Sequence, residues 1–126
     1  MSLRDYFENT RGFGVLATSN SEGRVDAAVY SRPHVMEDGT IASIMTDRLT
    51  HENLKTNPHA AYLFREEGGG YRGKRLLLTK IREEQDPALI DELRRRSVLD
   101  ELQLDKPLFL VIFQIDKELP LIGAGD

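Results

Sequence analysis

Short runs of β-forming residues, each closed by turn chemistry and most following one another with no helix between them, constrain this chain more than any other feature. Phe13 to Thr18 is apolar and β-tolerant, Ser19 to Gly23 is turn-forming, and Val25 to Arg32 resumes a strand until Pro33 interrupts it. Glu37-Asp38-Gly39 turns the chain into Thr40 to Met45. Ala60 to Arg65 follows, then a glycine cluster and Arg75 to Ile81, and finally Leu108 to Ile115. A doubly wound parallel sheet needs a helix after each strand, and these hairpins do not provide one. The pattern predicts a mainly β fold, a six-stranded antiparallel barrel with short helices at its ends, in which closure removes exposed edges. The first three strands are expected to form a meander, and Leu76-Leu77-Leu78 reads as the centre of a strand buried on both faces.

Three helices are predicted. Ser2 to Arg11 places Leu3, Tyr6 and Phe7 at helical spacing between a capping serine and Gly12. Thr50 to Thr56 is at most two turns and stops at Asn57-Pro58. Asp86-Pro87 opens the third, with Leu89, Ile90, Leu93 and Val98 as an apolar stripe beside Arg94, Arg95 and Arg96.

At 126 residues the chain is expected to be one domain, 1–126. It has no cysteine, which excludes disulfides, thiolate nucleophiles and thiolate metal sites, so redox chemistry requires a bound cofactor. A net charge of -4 argues against broad nucleic-acid or anionic-membrane binding and for a small-molecule partner. No apolar run approaches the roughly 20 residues a bilayer requires. The opening Met-Ser-Leu-Arg-Asp has no signal-peptide core, so a cytoplasmic location is expected.

Most motif-like features read as surface. Gly68-Gly69-Gly70-Tyr71-Arg72-Gly73 has the spelling of a dinucleotide loop, but a strand follows it instead of a helix, so a hairpin loop is the better reading. His34, His51 and His59 lack the spacing of paired metal ligands on a helix, and no metal site is expected. No serine stands in Gly-x-Ser-x-Gly. Glu66-Glu67, Glu83-Glu84 and Asp100-Glu101 read as solvated faces, and no catalytic residue is assigned.

The segment from Thr46 to Pro58 carries more. It leaves a strand and enters a short helix, so Thr50 and the first free amides, with Arg48 and a protonated His51, can hold an anion. Equally, Thr50 can be only an N-cap while Arg48 and His51 face solvent.

Asp47 to Phe64 resembles the pyridoxamine 5'-phosphate oxidase-like family of FMN-binding split barrels, most specifically in Asn53-Leu54-Lys55-Thr56-Asn57-Pro58. The hairpin from Phe13 to Arg32, the stretch Gly70 to Leu76 and the strand Val111 to Ile115 extend the resemblance over nearly the whole chain. It implies a homodimer of split barrels with FMN in clefts along the interface. In that arrangement Ala28, Val29, Tyr30, Ser31 and Arg32 would line the ring edge, with Tyr30 and Ser31 presenting side chains. Met45 and Thr46 would flank the ribityl chain, Arg48, Thr50, His51 and Asn53 would gather at the phosphate, and Arg75 would reach in from the facing sheet. Arg75 or Arg32 would then favour reduced flavin by facing its negative N1 region.

Thr50 stands where many relatives carry lysine, which leaves the phosphate charge to Arg48, His51 or another basic group. The chain has no tryptophan and ends in Gly-Ala-Gly-Asp, unlike the segment with which pyridoxamine phosphate oxidases bind flavin and substrate, so vitamin B6 oxidation is not implied. The expected function is an FMN-dependent oxidoreductase exchanging electrons with a small-molecule substrate or electron donor. The alternatives are a flavin-binding carrier, store or sensor without turnover, and a ligand-free dimeric scaffold.

Overall fold

Strand pairing in the computed structural model, which describes residues 2–94 and 107–123, is antiparallel throughout. The elements in chain order are α1 (Leu3–Asn9), β1 (Gly12–Ser19), β2 (Val25–Val29), β3 (His34–Val35), β4 (Ile41–Met45), α2 (Leu49–Thr56), β5 (His59–Glu66), β6 (Gly73–Glu84), α3 (Pro87–Arg94) and β7 (Phe109–Pro120). The sheet order is β2-β1-β5-β6-β7-β4-β3. Among the described residues it contains seven strands, one more than expected, because His34–Val35 forms a two-residue strand against β4 that is too short to carry a sequence signal. This is the antiparallel barrel with short helices that the hairpin pattern predicts, split as the family resemblance implies.

Two topological expectations fail. β1 and β2 form a hairpin, but β4 pairs with β7 and β3, so the first strands are not a meander. The barrel does not close by hydrogen bonding either, since β2 and β3 end the order as edge strands joined by residues 30–33. The run that began at Val25 ends at Val29, and residues 30–33, with Pro33 immediately before β3, carry the chain from one end of the sheet order to the other instead of turning back beside β2.

Register sorts the side chains. Directly paired residues share a face, so Ala28, Leu16, Tyr62 and Leu76 form an inward row and Val29, Val15, Leu63 and Arg75 an outward one. Leu76 and Leu78 are buried whereas Leu77 is partly exposed, so β6 is covered on one face and not on both. Inside, Leu16, Tyr62, Phe64, Leu76, Leu78 and Phe113 make the main core. Phe7 from α1 enters it edge-on to Tyr62 and Phe64. Ser2 caps α1 through the Asp5 amide, as its position predicts. On the far side of β4 and β7, Ile90 and Leu93 of α3 pack on Ala42, Leu110 and Ile112. Asp86 caps that helix by accepting from the Ala88 and Leu89 amides. The predicted continuation through Arg95, Arg96 and Val98 lies outside the described residues. No described helix is long and apolar enough to cross a membrane.

Candidate functional site

The turn from β4 into α2 is where polar groups go inside. Alternation along β4 sends Ile41 and Met45 into the main core with Ser43 between them, and the chain then bends through Thr46, Asp47 and Arg48. Thr50, His51, Asn53 and Leu54 are all buried, the face with which α2 packs on β1 and β2. Asn53 donates from Nδ2 to Thr18 Oγ1 at 3.0 Å, tying the helix to β1. Asn57 accepts from the His59 amide and shapes the exit into β5. The Asn-Leu-x-x-Asn-Pro element is thus a structural joint, and Asn53 reaches a strand hydroxyl.

The N-cap of α2 is Arg48 instead of Thr50, and no side chain caps it. Its first turn therefore presents amides without a side-chain acceptor. Thr50, two positions past the cap, faces the Tyr30 hydroxyl, and Thr50 and Arg48 both act to lower that group's pKa. Burial outweighs both and pushes the Tyr30 phenol above its ordinary value, so Tyr30 is a neutral hydroxyl at physiological pH. Beside them Thr46 and Ser43 are buried, with side-chain hydroxyls that have no hydrogen-bond partner among the described residues. Buried hydroxyls are normally paired. An uncapped helix start, an exposed arginine and an orphaned hydroxyl suit a phosphate and a polar chain arriving from outside.

His51 is placed otherwise than a phosphate ligand would be. Its ring is 2% exposed and stacks on Phe109 with centroids 4.2 Å apart. Nδ1 lies 2.7 Å from Asp47 Oδ1, and Nε2 lies 3.0 Å from Glu83 Oε2 on β6. Both nitrogens are committed to carboxylates, so neither is directed at an external anion. The hydrogen bond from His51 holds the Asp47 carboxyl below its ordinary value. Partial burial pushes Glu83 the other way, but hydrogen bonds from Lys80 and His51 prevail and lower it.

β2 splits its predicted residues by alternation. Ala28 and Tyr30 turn inward, while Val29 and Ser31 are exposed on the outside. Tyr62, across β1, donates to the Tyr30 or Ser31 carbonyl at 3.2 and 3.1 Å and fixes the strand's end. Gly14 permits this, since a Cβ there would overlap the Tyr62 hydroxyl and crowd the Tyr30 carbonyl. Arg32 is drawn away from the ring-facing role: it donates to the Phe7 and Thr10 carbonyls at the end of α1, 2.8 and 2.9 Å away. It also walls a cavity of about 280 Å³ shared with Arg4 of α1. Met45 packs in the main core. Arg75 shares the outer row with Val29 but three strand spacings away, roughly 14 Å. Its guanidinium donates to the Pro120 and Gly123 carbonyls.

One chain therefore unites Tyr30, Arg48 and Thr50, with Thr46 and Asn53 on the same joint, and leaves Arg75 apart. The sequence reading missed Asp47 and Glu83. Asp47 had a signal, the i,i+4 spacing to His51 across the helix start. Glu83 had none, because only the length of β6 brings it to a residue 32 positions away.

No family model matches the sequence, and no curated protein does. Solved structures do match in fold. An FMN-binding protein from Syntrophomonas wolfei superposes with a TM-score of 0.77 at 20% identity, over 95% of this chain and 84% of its own. An F420 reductase gives 0.73 at 18%, over 94% and 97%. A candidate pyridoxamine 5'-phosphate oxidase from Lactobacillus delbrueckii gives 0.68 at 15%, over 94% and 93%. A heme binding protein from Mycobacterium smegmatis gives 0.69 at 16%, over 100% of this chain and 56% of its own. The chain shares the split-barrel fold of these proteins, whose names span several cofactors.

Proposed function

We propose that this protein is a homodimeric FMN-binding flavoprotein of the pyridoxamine 5'-phosphate oxidase-like family, and an FMN-dependent oxidoreductase for a small substrate. The observation that carries the reading is the uncapped start of α2, with Arg48 and Thr50 beside the buried Thr46 hydroxyl, which is unpaired among the described residues. Arg48 and the first-turn amides would receive the phosphate, and Thr50 and Thr46 would donate to its oxygens and to the ribityl chain. Asn53 holds this turn against β1, and the backbone of Ala28 to Arg32 would edge the ring. When bound, FMN supplies the two-electron chemistry that these side chains do not. His51 acts behind the site and not on the ligand.

The dimer is supported by the outer face of the sheet. Phe13, Val25, Val29, Leu63 and Leu77 are all substantially exposed there, with Val29 at 67%. A sheet face of this kind calls for a cover. A second copy seated on it would bring its Arg75 toward the β2 edge of the first, which a single chain leaves out of reach.

The test is the visible spectrum of protein purified with excess FMN, followed by gel filtration. Co-elution of a yellow species bleached by reductant is expected; colourless protein that leaves FMN fluorescence unchanged rules the reading out. Parallel titrations with F420 and heme assign the cofactor. Stopped-flow reduction by NADH or NADPH separates an oxidoreductase from a flavin carrier, store or sensor, which would hold FMN without faster electron transfer.

A further inference from the structure

His51 is an unexpected buried group among the described residues, and both of its ring nitrogens face carboxylates. A neutral imidazole has one N–H donor and one acceptor nitrogen, whereas Asp47 and Glu83 both offer acceptor oxygens, at 2.7 and 3.0 Å. Two donors would satisfy both carboxylates, only the imidazolium carries two, and the stacking on Phe109 suits that cation. The facing charges come from three places. Asp47 lies in the turn, Glu83 and Lys80 stand on β6 with Lys80 Nζ 2.6 Å from Glu83, and Lys55 on α2 pairs with Asp47 and Glu52. With His51 protonated, the acidic members of this group are matched by the basic ones. With His51 neutral, an unbalanced negative charge stands one helical turn from Thr50.

We infer that His51 is a positioning residue, an imidazolium brace between Asp47 and Glu83 that fixes the first turn of α2 and cancels the carboxylates which would otherwise repel an anion there. Glu83 acts through it from the opposite strand. The inference rests on the anion-binding reading of this turn and adds to it a protonation requirement: anion affinity falls as pH rises and His51 loses its proton. By reciprocity, a bound anion must make that proton harder to remove.

The experiment follows His51 by two-bond ¹H–¹⁵N correlation spectra, which distinguish the imidazolium from either neutral tautomer, with H51Q identifying the signal. Spectra are recorded across pH for the free protein, for protein with FMN, for protein with inorganic phosphate, and for E83Q. Near neutrality the free protein should show the doubly protonated ring. E83Q, which keeps the histidine and its packing, should lower the titration midpoint, and saturating ligand should raise it by an amount equivalent to about fivefold or more in affinity. A single neutral tautomer near neutrality overturns the inference, as does a midpoint that neither ligand moves. If FMN fails to bind but phosphate raises the midpoint, the brace stands and the flavin reading falls. If FMN binds and the midpoint stays where it was, the flavin reading stands and the brace falls.

Discussion

The β4–α2 joint and the outer face of β2-β1-β5-β6 invert the usual distribution of side chains in opposite senses. At the joint, Thr46, Thr50, His51 and Asn53 are each at most 6% exposed although all are polar. On the sheet face, Phe13, Val25 and Val29 are each more than half exposed although all are apolar. The difference lies in what satisfies them. Most of the joint is internally engaged, through Asn53 to Thr18 and His51 to two carboxylates, with Thr50 near Tyr30, whereas the sheet face is exposed among the described residues. A joint that is paired except at its helix start and Thr46 can be rigid and still receptive. An exposed apolar face of this kind is what the proposed dimer would cover.

The strongest way to break this comparison is to charge the outer face. Val29→Asp with Leu63→Asp should convert the proposed dimer to monomers in sedimentation, because an unpaired charge in an interface costs about 3–5 kcal/mol. The monomer should stay folded, since neither side chain belongs to the core; wild-type protein that sediments as a monomer removes the premise. At the joint, Arg48→Ala should weaken FMN about tenfold to a hundredfold, the worth of hydrogen bonds to a charged group. Its melting temperature should hardly move, because Arg48 is exposed and caps nothing with its side chain. A large drop in stability would mean that Arg48 is structural.

Asn53→Ala should do the reverse. It strands the Thr18 hydroxyl and should cost about 1–3 kcal/mol in chemical denaturation. The smallest effect concerns acid. Glu83 is held below its ordinary value of 4.5, so the folded protein binds that proton less readily than the unfolded chain. Its contribution is complete above 4.5 and is lost as pH falls through the lower folded value. Melting temperatures of wild type and Glu83→Gln should therefore converge on acidification; curves that stay parallel through this range would show that the carboxylate contributes nothing by its charge.

Much of the fold was legible locally. Ser2 and Asp86 cap their helices as their chemistry requires, the hairpins at Ser19 to Gly23 and across the glycine cluster form where turn residues stand, and Ile90 and Leu93 lie on one stripe. At the site, position was legible and partnership was not. Thr50 and Arg48 were read at the right turn, but that Arg48 is the cap residue and that Tyr30, 20 positions away, comes to this turn were not legible. His51 was read as exposed or anion-facing, and only the folded chain brings Glu83 and Phe109 to it.

Sequence alone determined what depends on neighbours in the chain: the alternation that splits β2 between two faces, the turns, the helix starts, and the absence of cysteine chemistry. Tertiary structure decided what depends on strand order. It separated β4 from β2, left both sheet ends open, moved Arg75 across the sheet from the joint, and placed a second carboxylate against a buried imidazole. The physical reason is range. Turn and cap preferences are settled within a few residues, whereas pairing register and burial are settled by contacts between segments whose separation along the chain carries no local signal.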